Sequence, residues 1–216
     1  NLFLGSVVAL NPNTGKYLWH YQATPGERWD YKSTQDMILT DLVIEGVSRK
    51  VLMQAHMNGH FYILDRNDGQ LLSAEKYAKS TWAEYVDLET GRPVLSQEAK
   101  YRDGGASRIW PSPFGASNWQ SASYNPETEL VYISEMHLGG EYSVGPDPEF
   151  RDKFLRVNIL VDYSEVAEND GTGSLLAWDP VGSEMVWRAR HSSFWNGGTL
   201  STAGDLVFQG NGEGYF

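Results

Sequence analysis

The constraint that most narrows the fold of this chain is internal repetition. Val51-Leu-Met-Gln-Ala-His-Met-Asn-Gly-His-Phe61 aligns without gaps on Leu206-Val-Phe-Gln-Gly-Asn-Gly-Glu-Gly-Tyr-Phe216. Each copy is an apolar strand ending in Gln, then a small residue, a glycine turn and an aromatic restart, which is the pattern of a β-hairpin. The strands that follow such hairpins match as well. Ala9-Leu-Asn-Pro-Asn-Thr-Gly-Lys-Tyr-Leu-Trp19 corresponds to Ala177-Trp-Asp-Pro-Val-Gly-Ser-Glu-Met-Val-Trp187, and Ile63-Leu-Asp-Arg-Asn-Asp-Gly69 is a shorter version. Repeats of one supersecondary unit must stack, because a single copy cannot bury its own apolar face.

In each unit an Asp or Asn side chain bonds its own backbone and a glycine supplies positive φ, so the strand runs into a tight turn and reverses. Trp19 and Trp187 fall at the ends of the returning strands. There a large flat ring covers the gap between neighbouring sheets and keeps its indole N–H near a partner. Four-stranded sheets carrying one such signature each, arranged around an axis, make a β-propeller. The fold class expected is therefore all-β, and no segment has a helical period. The repeat count predicts roughly three to four blades of a larger ring, in one domain over residues 1–216. The opening at Asn1-Leu-Phe-Leu, already at a strand entrance, and the stop at Gly214-Tyr215-Phe216 lead to the expectation of a segment of a longer protein.

Along the chain, residues 23–36 read as a polar and aromatic loop, 37–44 as a strand, Glu45-Gly46 as a turn and 49–64 as the first clear hairpin. Residues 75–117 read as irregular. Tyr124 to Ile133 is turn then strand, and an insertion is expected at about 135–173, longer than a hairpin loop requires. Long insertions on a rigid scaffold serve a site or an interface more often than the fold.

Eight Trp, twelve Tyr and 22 Gly suit a sheet protein with many turns and interleaved flat rings. A formal net charge of −11 argues against nucleic-acid binding, which needs a basic surface to neutralise phosphate. The same acidity keeps a protein soluble and attracts a basic redox partner at low salt. With no Cys, this segment has no disulfide framework and no Cys-based metal or c-type haem site. No apolar run approaches the roughly 20 residues of a membrane helix.

Trp29-Asp30-Tyr31 is the leading candidate for chemistry. A carboxylate between two large aromatics is expected to be partly desolvated, which lifts its pKa towards the range useful to a general base; an Asp in a loop also serves as a turn or cap. Asn118-Trp119, and Phe194-Trp195-Asn196-Gly-Gly198, pair a planar ring with an amide and a flexible backbone, suited either to a flat polar cofactor or to packing between blades. His56 and His60 are four apart, but Asn58-Gly59 puts a turn between them, so they lack the helical spacing of a two-His metal site.

Gly5-Ser-Val-Val-Ala-Leu-Asn-Pro-Asn-Thr-Gly15, Trp19-His-Tyr-Gln22, Pro25-Gly26 and Trp29-Asp30-Tyr31 closely resemble the quinoprotein alcohol dehydrogenases that use pyrroloquinoline quinone (PQQ). Asn58-Gly, Phe61-Tyr-Ile-Leu-Asp-Arg66, Thr81-Trp-Ala-Glu84, Trp110-Pro-Ser-Pro-Phe-Gly115, Asn118-Trp119 and Trp195-Asn-Gly-Gly198 continue the resemblance in order. It implies an eight-bladed propeller, of which this is the later part, in the periplasm of a bacterium. It also implies oxidation of an alcohol to the carbonyl, with electrons passing to a cytochrome c or membrane quinone. Asp30 falls on the family's catalytic base, beside the metal, and is itself a candidate metal ligand. Asn118, Trp119 and Trp195 fall on cofactor-contacting positions.

Two departures stand out. Met57 occupies a cofactor-facing position where the family usually carries Lys or Arg just before the Asn-Gly. Lys32 stands where lanthanide-using members carry a second Asp, which points to Ca2+. If the chain after Asp30 is extended, Lys32 shares a face with Asp30 and offers its ammonium in place of the cation missing at Met57. Two competing readings remain: a non-catalytic propeller resembling the outer-membrane assembly scaffold lipoproteins, and a related quinoprotein for sugars. A scaffold has no reason to keep the Asp30 loop or Trp195-Asn-Gly-Gly198.

Overall fold

The computed structural model describes residues 2–145, 159–164 and 167–216. Strands β1 (Ser6–Leu10) and β2 (Tyr17–Gln22) form an antiparallel pair. They are followed by a complete four-stranded sheet of β3 (Ile38–Ile44), β4 (Val47–Ala55), β5 (His60–Asp65) and β6 (Leu71–Lys76). A hairpin of β7 (Ala83–Asp87) and β8 (Arg92–Leu95) comes next, then β9 (Ser107–Ile109). The second complete sheet joins β10 (Ser123–Asn125) and β11 (Leu130–His137) to β14 (Thr172–Asp179) and β15 (Glu184–His191). Between β11 and β14, β12 (Gly140–Val144) and β13 (Ile159–Asp162) add to β9 as a small three-stranded sheet. A last pair, β16 (Thr199–Ser201) and β17 (Val207–Gln209), follows β15. The described chain thus holds two whole blades flanked by two half-blades.

One turn chemistry builds the strand reversals. Asn11, Asp65, Asp87, Asn125 and Asp179 each accept a backbone N–H from two or three residues ahead through Oδ1, at 2.7–3.0 Å. The residue four places on takes positive φ in every case, as at Gly69 (80°) and Gly91 (66°). Asp87-Leu-Glu-Thr-Gly91 is the turn of the β7–β8 hairpin, so residues 75–117 are more ordered than their composition implies. Tyr85 and Val94 of that hairpin are exposed, which blurs the alternation by which a strand is recognised.

The blades bury both faces of their inner strands. Val51, Met53, Phe61 and Ile63 pack on Val131, Ile133, Leu176 and Trp178 of the second sheet. Their neighbours Leu52, Tyr62 and Leu64 face the other way, on to Val7, Trp19 and Tyr21. This accounts for the unbroken apolar run in β4 and β5, since alternate side chains enter two different cores. Trp19 lies flat on the turn of the next blade: a Cβ at Gly69 would come within 2.6 Å of Trp19 Cε3. Trp187, its counterpart in the repeat, is 39% exposed against 9% for Trp19.

Candidate functional site

Residues 23–37 cross from β2 to β3 and are stapled to the β4–β5 hairpin. Asn58 Nδ2 donates to Thr24 Oγ1 at 3.3 Å, Gln54 Nε2 to Gln35 O at 2.8 Å, and the Met57 amide to Gln35 Oε1 at 3.2 Å. Trp29 and Tyr31 plunge inward, stacked at 6.0 Å, into a core with Met57, Trp82, Tyr101, Ile109 and Tyr142. Tyr31 Oη donates to Pro111 O at 2.6 Å. Buried Asp170 fastens the same stretch from the other side, accepting from Trp110 Nε1 at 2.8 Å and from the Gly139 amide at 3.2 Å.

Asp30 sits between those two buried rings with φ of +66°, and its side chain keeps 37% of its exposure. The rings therefore do not enclose the carboxylate as their adjacency in sequence suggests. Successive side chains leave the backbone on opposite sides. Glu27 Oε1 accepts from the amides of Trp29 (2.6 Å) and Tyr31 (2.9 Å). Burial pushes the Glu27 carboxyl above its ordinary range, and the two amides pull it back. Tyr101 Oη donates to Arg28 O at 2.6 Å, and Tyr142 Oη to Trp29 O at 3.4 Å.

Lys32 shares the face of Asp30, with Nζ 2.9 Å from Oδ1. Its amide donates to Met57 Sδ at 3.4 Å. Met57 is 1% exposed, so its thioether lies beneath Lys32 as part of the floor.

Asn118, Trp119 and Trp195 come together around Phe114 and Tyr163. The negative charge of Asp30 adds to the burial that raises the Tyr163 phenol, against a hydrogen bond with Ser112. Tyr163 contacts Phe114 at 6.1 Å, Phe114 contacts Trp195 at 6.1 Å, and Trp195 contacts Trp119 at 6.1 Å with planes tilted by 60°. Trp119 is 59% exposed, and Asn118 Nδ2 donates to Phe114 O at 2.9 Å. Glu27, Phe114 and Tyr163 had not been singled out from sequence. Tyr163 follows β13 inside the insertion, where no motif marks it.

His56 and His60 are fully buried, and burial lowers each to about 3. His56 Nδ1 accepts from the Asn58 amide at 3.1 Å, which leaves Nε2 to carry the proton towards Ser33 Oγ at 2.8 Å. This polarity prevents His56 from activating Ser33 as a nucleophile. No three His, Cys, Asp or Glu side chains converge among the described residues. A Ca2+ ion takes six to eight oxygens, so at Asp30 it would need donors beyond this one carboxylate. The exposed rings of Trp119 and Trp195 with the Asn118 amide fit the edge of a flat, polar cofactor. Two clefts of about 340 and 450 Å3 lie elsewhere, lined by His20, Gln70 and Arg92 and by Ile44, Arg49 and Leu72.

Residues 1–79 match the family described as the beta-propeller domain of PQQ glucose/ethanol/alcohol dehydrogenases. The chain is 51% identical over 215 residues to a quinohemoprotein alcohol dehydrogenase, ADH IIB, of Pseudomonas putida, a match that covers 99% of this chain and 31% of that protein. Among solved structures it superposes on quinohemoprotein alcohol dehydrogenase ADHIIG of Pseudomonas putida with a TM-score of 0.90 at 43% identity, over 98% of this chain and 33% of that one. On the quinohemoprotein alcohol dehydrogenase of Comamonas testosteroni the TM-score is 0.89 at 41% identity, over 97% and 32%. The chain spans about a third of the length of the curated relatives it matches. The family resemblance carried by the motifs holds along the whole segment, and its sheets are blades of the propeller those enzymes share.

Proposed function

We propose that this segment supplies the Asp30 loop and one aromatic wall of the active site of a PQQ-dependent alcohol dehydrogenase. The observation that carries the reading is a partly exposed carboxylate, held at positive φ beside Lys32, in a chain that is matched along 99% of its length by such an enzyme. Asp30 takes the hydroxyl proton of the alcohol on its carboxylate, the role of a general base. Trp119, Trp195 and Asn118 hold the edge of the cofactor, and Met57 packs beneath Lys32 at the floor. When bound, PQQ supplies the two-electron acceptor for the oxidation. Asp30 would also give one oxygen ligand to Ca2+, which would polarise the reacting oxygens as a Lewis acid. Phe114 and Tyr163 give the substrate an apolar surface and help to exclude water from it.

Electrons leave to a cytochrome c or membrane quinone, in the periplasm. A scaffold role resembling that of the outer-membrane assembly lipoproteins is disfavoured by the Asp30 loop, whose anchoring serves no purpose in a propeller without a site. The test uses the full-length protein reconstituted with PQQ and Ca2+. Alcohol-dependent reduction of an artificial dye is expected, lost on chelation and restored by Ca2+. Absence of both quinone absorbance and alcohol-dependent dye reduction would overturn the reading.

A further inference from the structure

The carboxylate of Glu27 makes the contacts that shape the Asp30 loop. A single oxygen, Oε1, takes the amides on both sides of Asp30, at 2.6 Å from Trp29 and 2.9 Å from Tyr31. Two converging N–H groups form a concavity that fits one anionic oxygen. The intervening residue is turned outward, and here that residue is Asp30 with φ of +66°, a conformation disfavoured for a residue with a Cβ unless its surroundings impose it. The carbonyls are fixed as well. Tyr101 holds Arg28 O, and Tyr142, from the insertion, brings one hydroxyl to both Pro111 O at 3.2 Å and Trp29 O at 3.4 Å. Both amides next to Asp30 therefore depend on one side chain three residues upstream.

We infer that Glu27 is a positioning residue, a carboxylate clamp that presents Asp30 outward at positive φ so that its oxygens meet the alcohol in register. The inference rests on the function proposed above. The clamp requires reach more than charge, because the bonds are made by one oxygen at a fixed distance from two amides. A glutamine keeps that oxygen, whereas an aspartate keeps the charge on a stem one methylene shorter.

The test compares Glu27→Gln and Glu27→Asp in the full-length protein reconstituted with PQQ and Ca2+, following kcat and KM for an alcohol, PQQ content and amide hydrogen exchange across residues 28–31. Misplacing a reacting group by about 1 Å costs up to about 100-fold, so Glu27→Asp is expected to lower kcat about 10-fold or more with KM and PQQ content within about twofold. Glu27→Gln is expected to stay within about threefold of wild type. Exchange at 28–31 should quicken in Glu27→Asp alone, with β4 and β5 still protected. Equal kcat in the two variants, a larger loss in Glu27→Gln, or unchanged exchange in Glu27→Asp would overturn the clamp. A wild-type protein that loads PQQ and Ca2+ but oxidises no alcohol would instead remove the proposed function, and the positioning role with it.

Discussion

The ammonium of Lys32 stands 2.9 Å from the carboxylate of Asp30, and the backbone amide of the same lysine donates to the sulfur of Met57. The cation at this corner thus rises from residue 32, while residue 57 beneath it is a buried thioether. Lys32 is 55% exposed, and exposed ion pairs contribute only about 0–1 kcal/mol to stability. Lys32→Ala should leave the unfolding midpoint of the full-length protein nearly unchanged. If its charge stabilises the developing transition state, kcat should fall by about 10- to 100-fold. Met57→Lys added to Lys32→Ala should recover much of that loss, its stem following the path of Met57 into the space left by Lys32. Wild-type turnover in Lys32→Ala would remove the lysine from the chemistry, and a double-mutant cycle measures the coupling.

Asp30→Asn isolates the charge of the proposed base. Asn accepts positive φ as readily as Asp, so the loop geometry is preserved. The expected result is a fall in kcat of about 100-fold or more, with PQQ absorbance retained. Steady-state rates within twofold of wild type would place the base elsewhere.

Gly69→Ala tests how the blades are joined. The new Cβ would lie 2.6 Å from Trp19 Cε3, on a residue with φ of +80°. Overpacking costs about 1–3 kcal/mol and the left-handed backbone about 1 kcal/mol more. Chemical denaturation should show a loss of about 2–4 kcal/mol, and a loss below about 0.5 kcal/mol would mean that Trp19 moves aside freely.

The buried histidines make stability fall in acid. Burial holds His60 at about 3, below its unfolded value of 6.5. Between those two values the unfolded chain binds the extra proton. Stability is therefore complete above pH 6.5 and drops as pH falls through the window, by up to about 1.4 kcal/mol per pH unit for each such group. His56 is expected to add a similar slope. Neither ring nitrogen of His60 has a hydrogen-bond partner among the described residues, so His60→Phe should be tolerated at pH 7 and should flatten the decline between pH 6 and 4. Unfolding curves at four pH values decide it; an unchanged slope would contradict the assignment.

The blades were legible because one turn chemistry, an Asx residue with a positive-φ residue four places on, recurs at Asn11, Asp65, Asn125 and Asp179, with Trp19 and Trp187 after the first and last of them. The β7–β8 hairpin carries the same turn at Asp87 and was missed because its strands face solvent and alternate weakly. Asp30 stands out through its motif, yet its surroundings differ from those its sequence neighbours suggest. Trp29 and Tyr31 are its neighbours in the chain and point away from it. The group that does meet it is Lys32, two residues on. Glu27 was invisible for a different reason, since a carboxylate that binds backbone amides leaves no pattern of residue types.

Strand β4 reaches β5 across residues 56–59, whereas β11 reaches β14 only after residues 138–171. The entropy of loop closure rises as (3/2)RT ln n, so the second seam costs about 2 kcal/mol more to bring together. Contacts of that range form late in folding. The first blade can therefore zip up from its hairpin alone, while the second waits for a long excursion to return. Tyr142 and Tyr163 ride on that excursion, one packed in the core with Trp29 and Tyr31 and the other against Phe114 of the aromatic wall. In order of assembly, the first blade forms before both the second blade and the part of the site that the excursion carries.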